Sequence, residues 1–373
     1  MRVSKGDLLP DLMRRAFAIS LILSALAACS IPATAQVPSV VVRYREAADV
    51  FEMLDQVSAW WPEYVEPAYR LAWTDAHLLQ PDDSAFFARY AELRARHFDR
   101  TGQDTNGSFR GGSALFTSRS TLAADPVASA FYRSDSLPQA LELLHGTLSV
   151  EETDFLRAFY AHFASRTSVL AAQTRSLTDS SRTATARTLE DPGVEQYLSV
   201  VSALFAPASE RSDGRASFTA LYVWWPDTNQ TAATPNGSAF VLRVRPRAGE
   251  VVNSADVVAH ETIHVFAARM SEARQQSLSG ALLDGCHAPA SLRRLAILEE
   301  PIATALGNIE FRRRFMPQRF SWSRRWYGDA WVNVYARLLQ PVLAERLITG
   351  VALDARFASD AAALCTALAS TPK

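Results

Sequence analysis

The chain has 373 residues, of which 48% are hydrophobic and 21% charged, and its formal net charge is −1. A chain of this length can bury one large hydrophobic core or two smaller ones, and its composition is that of a globular protein. It has no long basic or acidic run, which argues against nucleic acid as a partner because phosphate binding usually requires a clustered positive surface.

The N-terminus carries the first informative pattern. Arg14 and Arg15 precede AFAISLILSALAA, an uncharged apolar run of 13 residues. Such a run is too short to span a bilayer as a helix but has the length of a signal-peptide core. Residues 1–36 are therefore predicted to be a signal peptide, and the mature protein is expected to be exported.

Two processing sites compete within this segment. LAAC, which ends at Cys29, resembles a bacterial lipobox, whereas ATA followed by Gln36 fits ordinary cleavage after Ala35. The first site predicts a lipoprotein anchored to the outer membrane through lipidated Cys29. The second predicts soluble export to the periplasm.

Residues 37–210 are predicted to form a helical N-terminal region. Apolar residues recur at helical spacing in YREAADVFEMLDQVSAWW, PDDSAFFARYAELRARHF, VEETDFLRAFYAHFASRTSVL and PGVEQYLSVVSALF. Short polar turns join these segments, and Pro81 with the acidic residues after it is typical of a helix start. The aromatic residues of these stripes are expected to form a hydrophobic core rather than a ligand site.

The pattern changes near Ala216. ASFTALYVWW and SAFVLRVRP are rich in β-branched and aromatic residues, and they flank a turn-rich segment that contains Pro235, Asn236 and Gly237. They are predicted to form a hairpin or two strands of a small sheet. Because helical patterns return after them, the predicted fold class is α+β and predominantly helical, with a boundary near residue 210.

The most specific motif is HETIH, residues 260–264. In a helix, His260 and His264 lie on the same face and can both direct a nitrogen at one ion. Zinc accepts imidazole nitrogen, and a catalytic zinc site keeps one position open for water. Glu261 lies about 100° further round the helix, from where it would take a proton from that water as general base. The motif thus predicts two zinc ligands and a catalytic base.

The third ligand decides the class of site. In the metzincin pattern HExxHxxGxxH it is a histidine, but Ala267 and Met270 occupy the two defining positions here. HETIH together with Glu300 in LEEPIATALGN resembles instead the metal site of gluzincins such as thermolysin, in which an E-x-x-A segment on a following helix supplies a glutamate. The alternatives are Glu299, which would otherwise orient a histidine, and His287 in a loop-like segment.

The resemblance to gluzincins covers residues 257–308, and it implies one Zn²⁺ per chain, held by His260, His264 and Glu300. It also implies a sheet whose edge strand aligns an extended peptide by backbone hydrogen bonds. SAFVLRVRP is either that strand or an ordinary internal one. Gluzincin-like enzymes often stabilise the oxyanion with a tyrosine or histidine, and Tyr327 is expected to do so, with core packing as its alternative role.

Two cysteines, Cys286 and Cys365, remain after the N-terminal segment is removed. In an oxidising compartment this pair can close a disulfide bond. The bond would tie the C-terminal tail to the segment between the two predicted metal-binding helices. Two unrelated buried thiols are the alternative.

These patterns together predict a zinc metallopeptidase-like catalytic region in residues 211–373, which hydrolyses a peptide or protein substrate in the bacterial cell envelope. No serine or cysteine nucleophile motif competes, because the sequence has no G-x-S-x-G, and no phosphate-cradling glycine loop is present. Two alternatives are a zinc amidase that acts on another envelope amide and a non-catalytic exported protein that binds metal or a partner. The sequence makes no prediction of oligomeric state.

Overall fold

The computed structural model describes residues 39–61, 66–98, 125–206, 217–226, 232–237, 239–244, 250–286 and 298–369. The predicted signal peptide with both processing sites, and His287, lie outside these residues. The chain from Gln36 to Lys373 forms one compact unit. None of the helices within the described ranges is long and apolar enough to cross a membrane.

Helices make up most of the described residues, and the fold is α+β and predominantly helical, as predicted. The helices in the first half are α1 Glu46–Ser58, α2 Pro67–Asp75, α3 Asp83–His97, α4 Pro126–Arg133, α5 Leu137–Leu143, α6 Val150–Leu189 and α7 Pro192–Phe205. Those in the second half are α8 Ala255–Ala268, α9 Glu272–Gly285, α10 Glu299–Ala303, α11 Phe311–Phe315, α12 Ala330–Thr349 and α13 Ala355–Ala369. A π-helical turn, Thr304–Glu310, joins α10 to α11.

α6 is much longer than its apolar stripe predicts. It starts with a capping box, in which Ser149 Oγ accepts a hydrogen bond from Glu152 N at 3.2 Å and Glu152 Oε2 accepts one from Ser149 N at 2.9 Å. The predicted stripe ends near Leu170, but the helix continues to Leu189, for a total of 40 residues. Serine and threonine side chains in this second half bond back to the helix or across to the loop before α8, so polar contacts hold it in place.

The strands form one sheet in the order β1-β2-β4-β3. They are β1 Ser39–Tyr44, β2 Ser217–Val223, β3 Ala232–Asn236 and β4 Ala239–Arg243. The prediction of strands in a small sheet is confirmed, but the predicted hairpin between ASFTALYVWW and SAFVLRVRP is wrong. These segments form β2 and β4, which are parallel neighbours. The hairpin joins β3 to β4 instead, through Gly237, whose φ of 59° suits glycine.

SAFVLRVRP forms an internal strand, so it is not the edge strand that would align a substrate. All residues of β4 are buried, and the strand lies between β2 and β3. Continuous burial is typical of a strand that is covered on both faces. β1 and β3 are the edges of the sheet as described, and β3 contacts α8.

Three clusters of buried hydrophobic side chains hold the layers together. The first lies mainly among α1 to α6 and is rich in aromatic residues, including Phe51, Trp73, Tyr90, Phe131 and Phe159. The prediction that the aromatic stripes form a core is therefore confirmed. The second cluster packs α8 against the sheet. The third lies among α7 to α13 and surrounds the two predicted metal-binding helices.

The predicted cysteine pair is brought together in this third cluster. The sulfur atoms of Cys286 and Cys365 lie at bonding distance, and their Cα atoms are 5.4 Å apart. This Cα separation is within the usual range for a disulfide bond. The pair connects the end of α9 to α13.

Candidate metal centre

The start of α8, the helix that carries HETIH, is held by side chains from the last turns of α6. Thr185 Oγ1 accepts a hydrogen bond from Ser254 N at 2.9 Å, and Asn253 Nδ2 donates one to Thr188 Oγ1 at 2.8 Å. Asn253 Oδ1 in turn accepts from Ala255 N at 3.1 Å. It thereby satisfies one of the N–H groups that a helix start leaves free. α8 therefore has a fixed start close to its two histidines.

His260, His264 and Glu300 meet in one place. The Nε2 atoms of the two histidines are 3.0 Å apart. Glu300 Oε2 lies 3.4 Å from His260 Nε2, and Glu300 Oε1 lies 3.5 Å from His264 Nε2. Glu300 reaches them from the first turn of α10, which begins at Glu299, so that Pro301 lies where a helix tolerates a missing N–H.

Hydrogen bonds on the far side of each imidazole determine which nitrogen carries the proton. Asn308 Nδ2 donates to Asp256 O at 3.3 Å, which leaves Asn308 Oδ1 to accept from His260 Nδ1 at 2.9 Å. Glu299 Oε1 faces His264 Nδ1 at 2.7 Å and accepts from it. Both Nδ1 atoms are therefore donors, and both Nε2 atoms of the neutral imidazoles carry lone pairs. Glu299 has the position of an orienting partner.

The three converging groups fit a zinc ion. In a tetrahedral site with metal–nitrogen distances of about 2.0–2.1 Å, neighbouring ligand atoms are roughly 3.3 Å apart. The distances of 3.0, 3.4 and 3.5 Å bracket this value. Among the described residues, Glu300 Oε2 is buried and has no hydrogen-bond partner. Two imidazoles and a carboxylate are a ligand set that catalytic zinc uses.

The electrostatics of these groups also favour a cation. Burial lowers the pKa of His264, but the carboxylates of Glu300 and Glu299 outweigh burial and hold it well above its ordinary value. Burial raises the pKa of Glu300, but the imidazoles of His264 and His260 hold it well below its ordinary value. A site that attracts a proton this strongly also attracts a divalent metal ion, and the two compete for it.

Glu261, the predicted base, lies beside the predicted ligands. Its side chain is buried, and the charges of both histidines act on it. Burial raises the pKa of Glu261, and His264 and His260 offset part of the rise. A raised pKa brings a carboxylate closer to neutral pH, where a general base is most efficient.

Tyr327 reaches the site from the loop before α12. Its ring is inclined by 24° to that of His260, with the ring centroids 6.3 Å apart. Burial raises the pKa of Tyr327, and the carboxylate of Glu300 raises it further, so the hydroxyl stays protonated at neutral pH. Arg325 Nε donates to Tyr327 O at 3.0 Å, and Arg325 Nη2 donates to Gly328 O. These bonds hold the loop next to the site.

The π-helical turn lies very close to α8. A Cβ atom added to Gly307 would lie 2.4 Å from His260 Cα and 2.5 Å from His260 N, closer than real Cβ atoms approach. Only glycine allows this approach, and the next residue, Asn308, reaches His260 Nδ1 because of it. π-helical turns are frequent at functional sites. Here the turn brings the orienting amide to the histidine.

The partners on the far side of His260 have no signature in the local sequence. Arg312 Nε and Nη2 donate to Asp256 Oδ2 at 3.1 and 2.6 Å. This buried ion pair fixes Asp256, whose carbonyl group holds Asn308. The best indication of an orienting group in the sequence is the pair Gly307-Asn308, because it places a glycine and an amide side chain inside a helical pattern.

A second group of possible ligands, Asp82, Asp83 and His162, lies among the N-terminal helices. Asp83 Oδ2 accepts a hydrogen bond from Arg166 at 2.6 Å, and Asp83 Oδ1 lies 2.8 Å from His162 Nε2. The guanidinium group already neutralises this carboxylate. We therefore interpret the group as an ion-pair cluster that joins α3 to α6.

A comparison of the chain with protein-family models, with curated proteins and with solved structures finds no match. What the chain does is therefore inferred from the chemistry of its own residues.

Proposed function

We propose that the protein is a zinc-dependent peptidase of gluzincin type that cleaves a peptide or protein in the bacterial cell envelope. The observation that carries the proposal is the convergence of His260 Nε2 and His264 Nε2 on the Glu300 carboxylate, with both Nδ1 atoms committed to other partners. Buried acceptors that face one another cost stability unless a bound cation compensates them. This arrangement is therefore expected of a metal site rather than of a hydrophobic core.

Zinc held by these side chains would supply a Lewis acid that polarises the substrate carbonyl and lowers the pKa of a coordinated water to about 7. Glu261 would accept a proton from the attacking water at its carboxylate. It would then donate that proton to the leaving amide nitrogen, which returns Glu261 to its ionised form. Tyr327 would donate a hydrogen bond from its hydroxyl to the oxyanion that develops on the substrate.

Two other functions use some of the same residues. An amidase that acts on a different envelope amide would need the same ligands and base, and only its substrate would differ. A non-catalytic metal-binding protein would need ligands alone. The buried Glu261 favours hydrolysis over the latter, because structural zinc is usually closed by a fourth protein ligand and has no need of a base.

Zinc content per chain tests the metal site itself. We expect elemental analysis of the purified protein to find about one zinc ion per chain, and much weaker retention in His264→Ala and Glu300→Ala. The matched control is His162→Ala, which removes a part-buried histidine from the ion-pair cluster and should keep zinc. A folded parent protein that takes up no zinc, even after supplementation, would contradict the proposal.

Glu261→Gln tests catalysis separately from metal binding. The variant should keep its zinc but cleave a fluorescent peptide library roughly 10² to 10⁴ times more slowly, the usual contribution of a general base. Glu195→Gln, which changes an exposed glutamate on α7, should cleave at the parent rate. If Glu261→Gln and the parent cleave equally fast, Glu261 is not the base.

A further inference from the structure

The segment from Phe311 to Gly328, which leads from the π-helical turn to the Tyr327 loop, is strongly basic. It contains six arginines and no acidic residue, although Lys plus Arg (38) and Asp plus Glu (39) nearly balance in the whole chain. Its arginines are Arg312, Arg313, Arg314, Arg319, Arg324 and Arg325. Folding therefore concentrates positive charge beside the candidate metal centre.

Part of this charge is neutralised within the fold, where two carboxylates pair with three of the arginines. Arg312 pairs with Asp256 at 2.6 Å, while Arg313 and Arg314 pair with Glu310 at 2.7 and 2.6 Å. These three arginines have structural partners and need no ligand.

The other three, Arg319, Arg324 and Arg325, form what we call the arginine cluster. Their side chains are exposed, and among the described residues their guanidinium groups contact only neutral groups. Arg319 Nη2 donates to Val251 O at 3.1 Å. Arg324 lies 5.8 Å from the centroid of the Trp326 ring. Arg325 donates to the backbone of the Tyr327 loop, as described above.

Like charges are crowded in this cluster. Partial burial lowers the pKa of Arg324, and the positive charges of Arg312 and Arg319 lower it further. Asp256, which is already paired with Arg312, offsets only part of the repulsion between these guanidinium groups. A bound anion would relieve this repulsion through charge-assisted hydrogen bonds.

Two observations place the cluster near the candidate metal centre. Arg325 holds the loop whose Tyr327 ring lies against His260. The charge of Asp256 acts on Arg324. Asp256 lies one helical turn before His260 on α8. An anionic group held by the cluster would therefore lie close to the place where a substrate bond is cleaved.

We infer that the arginine cluster binds a carboxylate side chain of the substrate, so that the enzyme selects acidic peptides. The inference rests on the proposed function, because it makes the cluster a subsite of that metal centre. The planar guanidinium fork matches a carboxylate and binds it with two parallel hydrogen bonds. An anionic membrane is a poorer fit, because Trp322 is the one large hydrophobic side chain that this segment exposes, and surface binding needs a larger apolar area.

The test measures peptide binding in the Glu261→Gln background, so that turnover does not interfere. The probes are fluorescent decapeptides in which one glutamate moves along an otherwise neutral sequence, each with its glutamine counterpart. At one or two positions, glutamate should lower Kd about tenfold, as expected for one charge-assisted contact. Added Arg324→Gln or Arg319→Gln should abolish this difference. The control is Arg313→Gln, which removes the same charge from an arginine already paired with Glu310.

Three results would overturn the inference. One is equal affinity for the glutamate and glutamine peptides at every position. Another is an equal loss of affinity in Arg313→Gln, which would show that only overall charge matters. The third is binding to vesicles of anionic phosphatidylglycerol that depends on the cluster, with no preference among peptides. Zinc uptake and cleavage by the parent protein are measured independently, so a failed hydrolase proposal can be told from a failed subsite.

Discussion

Buried charges are treated differently in the helical region and at the candidate metal centre. In the helical region and where it meets the sheet, carboxylates with little exposure meet guanidinium groups. Arg94 binds Asp55 at 2.7 Å and Asp125 at 2.5 Å, and Arg243 binds Glu52 at 2.7 Å. At the candidate metal centre, the Glu300 carboxylate instead faces the Nε2 atoms of two imidazoles, which bind either a proton or a metal ion.

This difference distinguishes charges that stabilise the folded protein from charges that are positioned to bind a ligand. A buried ion pair with its hydrogen bonds satisfied needs no ligand. Removing one partner leaves the other charge buried and unpaired, which destabilises the protein. A set of converging acceptors is completed only by a cation. Substitutions in the first region should therefore lower stability, and those in the second should lower metal affinity.

The largest effect is expected for Arg94→Met. The substitution leaves Asp55 and Asp125 buried without a cation, which typically costs about 3–5 kcal/mol in the free energy of unfolding. The control is Arg157→Met, which breaks an exposed pair with Asp154 and should cost less than about 1 kcal/mol. Urea unfolding measures both. Equal destabilisation by the two variants would mean that the buried network does not have the structural role assigned to it.

Gly307→Ala should come next, because it moves the π-helical turn away from α8. The added Cβ atom would lie 2.4 Å from the His260 backbone, and overpacking of this kind costs about 1–3 kcal/mol. Zinc retention should fall as well. Gly280→Ala is the control, since nothing lies within 4 Å of a Cβ atom on that exposed helical glycine, and it should stabilise the protein by up to about 1 kcal/mol. If both variants bind zinc like the parent, the close approach does not matter for the site.

A pH-dependent effect is expected at Asp49, a buried carboxyl whose hydrogen-bond donors, Trp224 N and the Tyr44 hydroxyl, are neutral. Burial raises the pKa of Asp49 to about 6 in the folded protein, whereas an unfolded aspartate has a pKa of about 3.9. The folded state therefore holds this proton more tightly. The resulting stability is fully present below about pH 4 and is lost as the pH rises through about 6.

Asp49→Asn removes this dependence because the amide stays neutral. Relative to the parent protein, the variant should gain about 2 kcal/mol in the free energy of unfolding between pH 4.5 and 7.5. Urea unfolding at the two pH values gives the difference, and Asp154→Asn, an exposed aspartate, should not show it. A difference between Asp49→Asn and parent that is the same at both pH values would exclude this explanation.

The smallest effect on stability is expected for Asn308→Leu, whose consequence lies in metal binding. Without the amide, His260 Nδ1 loses its acceptor and the ring is free to rotate. Loss of such an orienting partner typically weakens metal binding 10- to 100-fold, which competition with a zinc chelator measures. Asn308→Asp keeps an acceptor and should recover most of the affinity. Equal weakening by both variants would show that Asn308 only fills space.

Local sequence patterns predict much of this molecule. Helical periodicity marks the N-terminal helices, and HETIH and Glu300 meet as their spacing and the gluzincin resemblance imply. The strand order is not predictable in this way, because burial on both faces removes the alternation that distinguishes an internal strand from its neighbours. β1 Ser39–Tyr44 has no predicted partner for another reason, because its parallel pairing with β2 spans most of the first half of the chain.

Asn308, the orienting partner of His260, escapes prediction for a different reason. Asn308 is just one of many amides in the sequence, and its contact with His260 depends on a π-helical turn that no local propensity specifies. The second half of α6 is similar, because its polar residues find their partners in the loop before α8 rather than in an apolar face. Both depend on packing between segments that are distant in the sequence.

The 40-residue helix α6 is a continuous rod about 60 Å long. Its first half contributes Phe159 and its neighbours to the aromatic core, and its last turns hold the residues that start α8. Helical hydrogen bonds form and break cooperatively, so melting of the aromatic core should spread along the rod. On heating, zinc bound at the candidate metal centre should therefore be released in the same transition in which the N-terminal helices unfold.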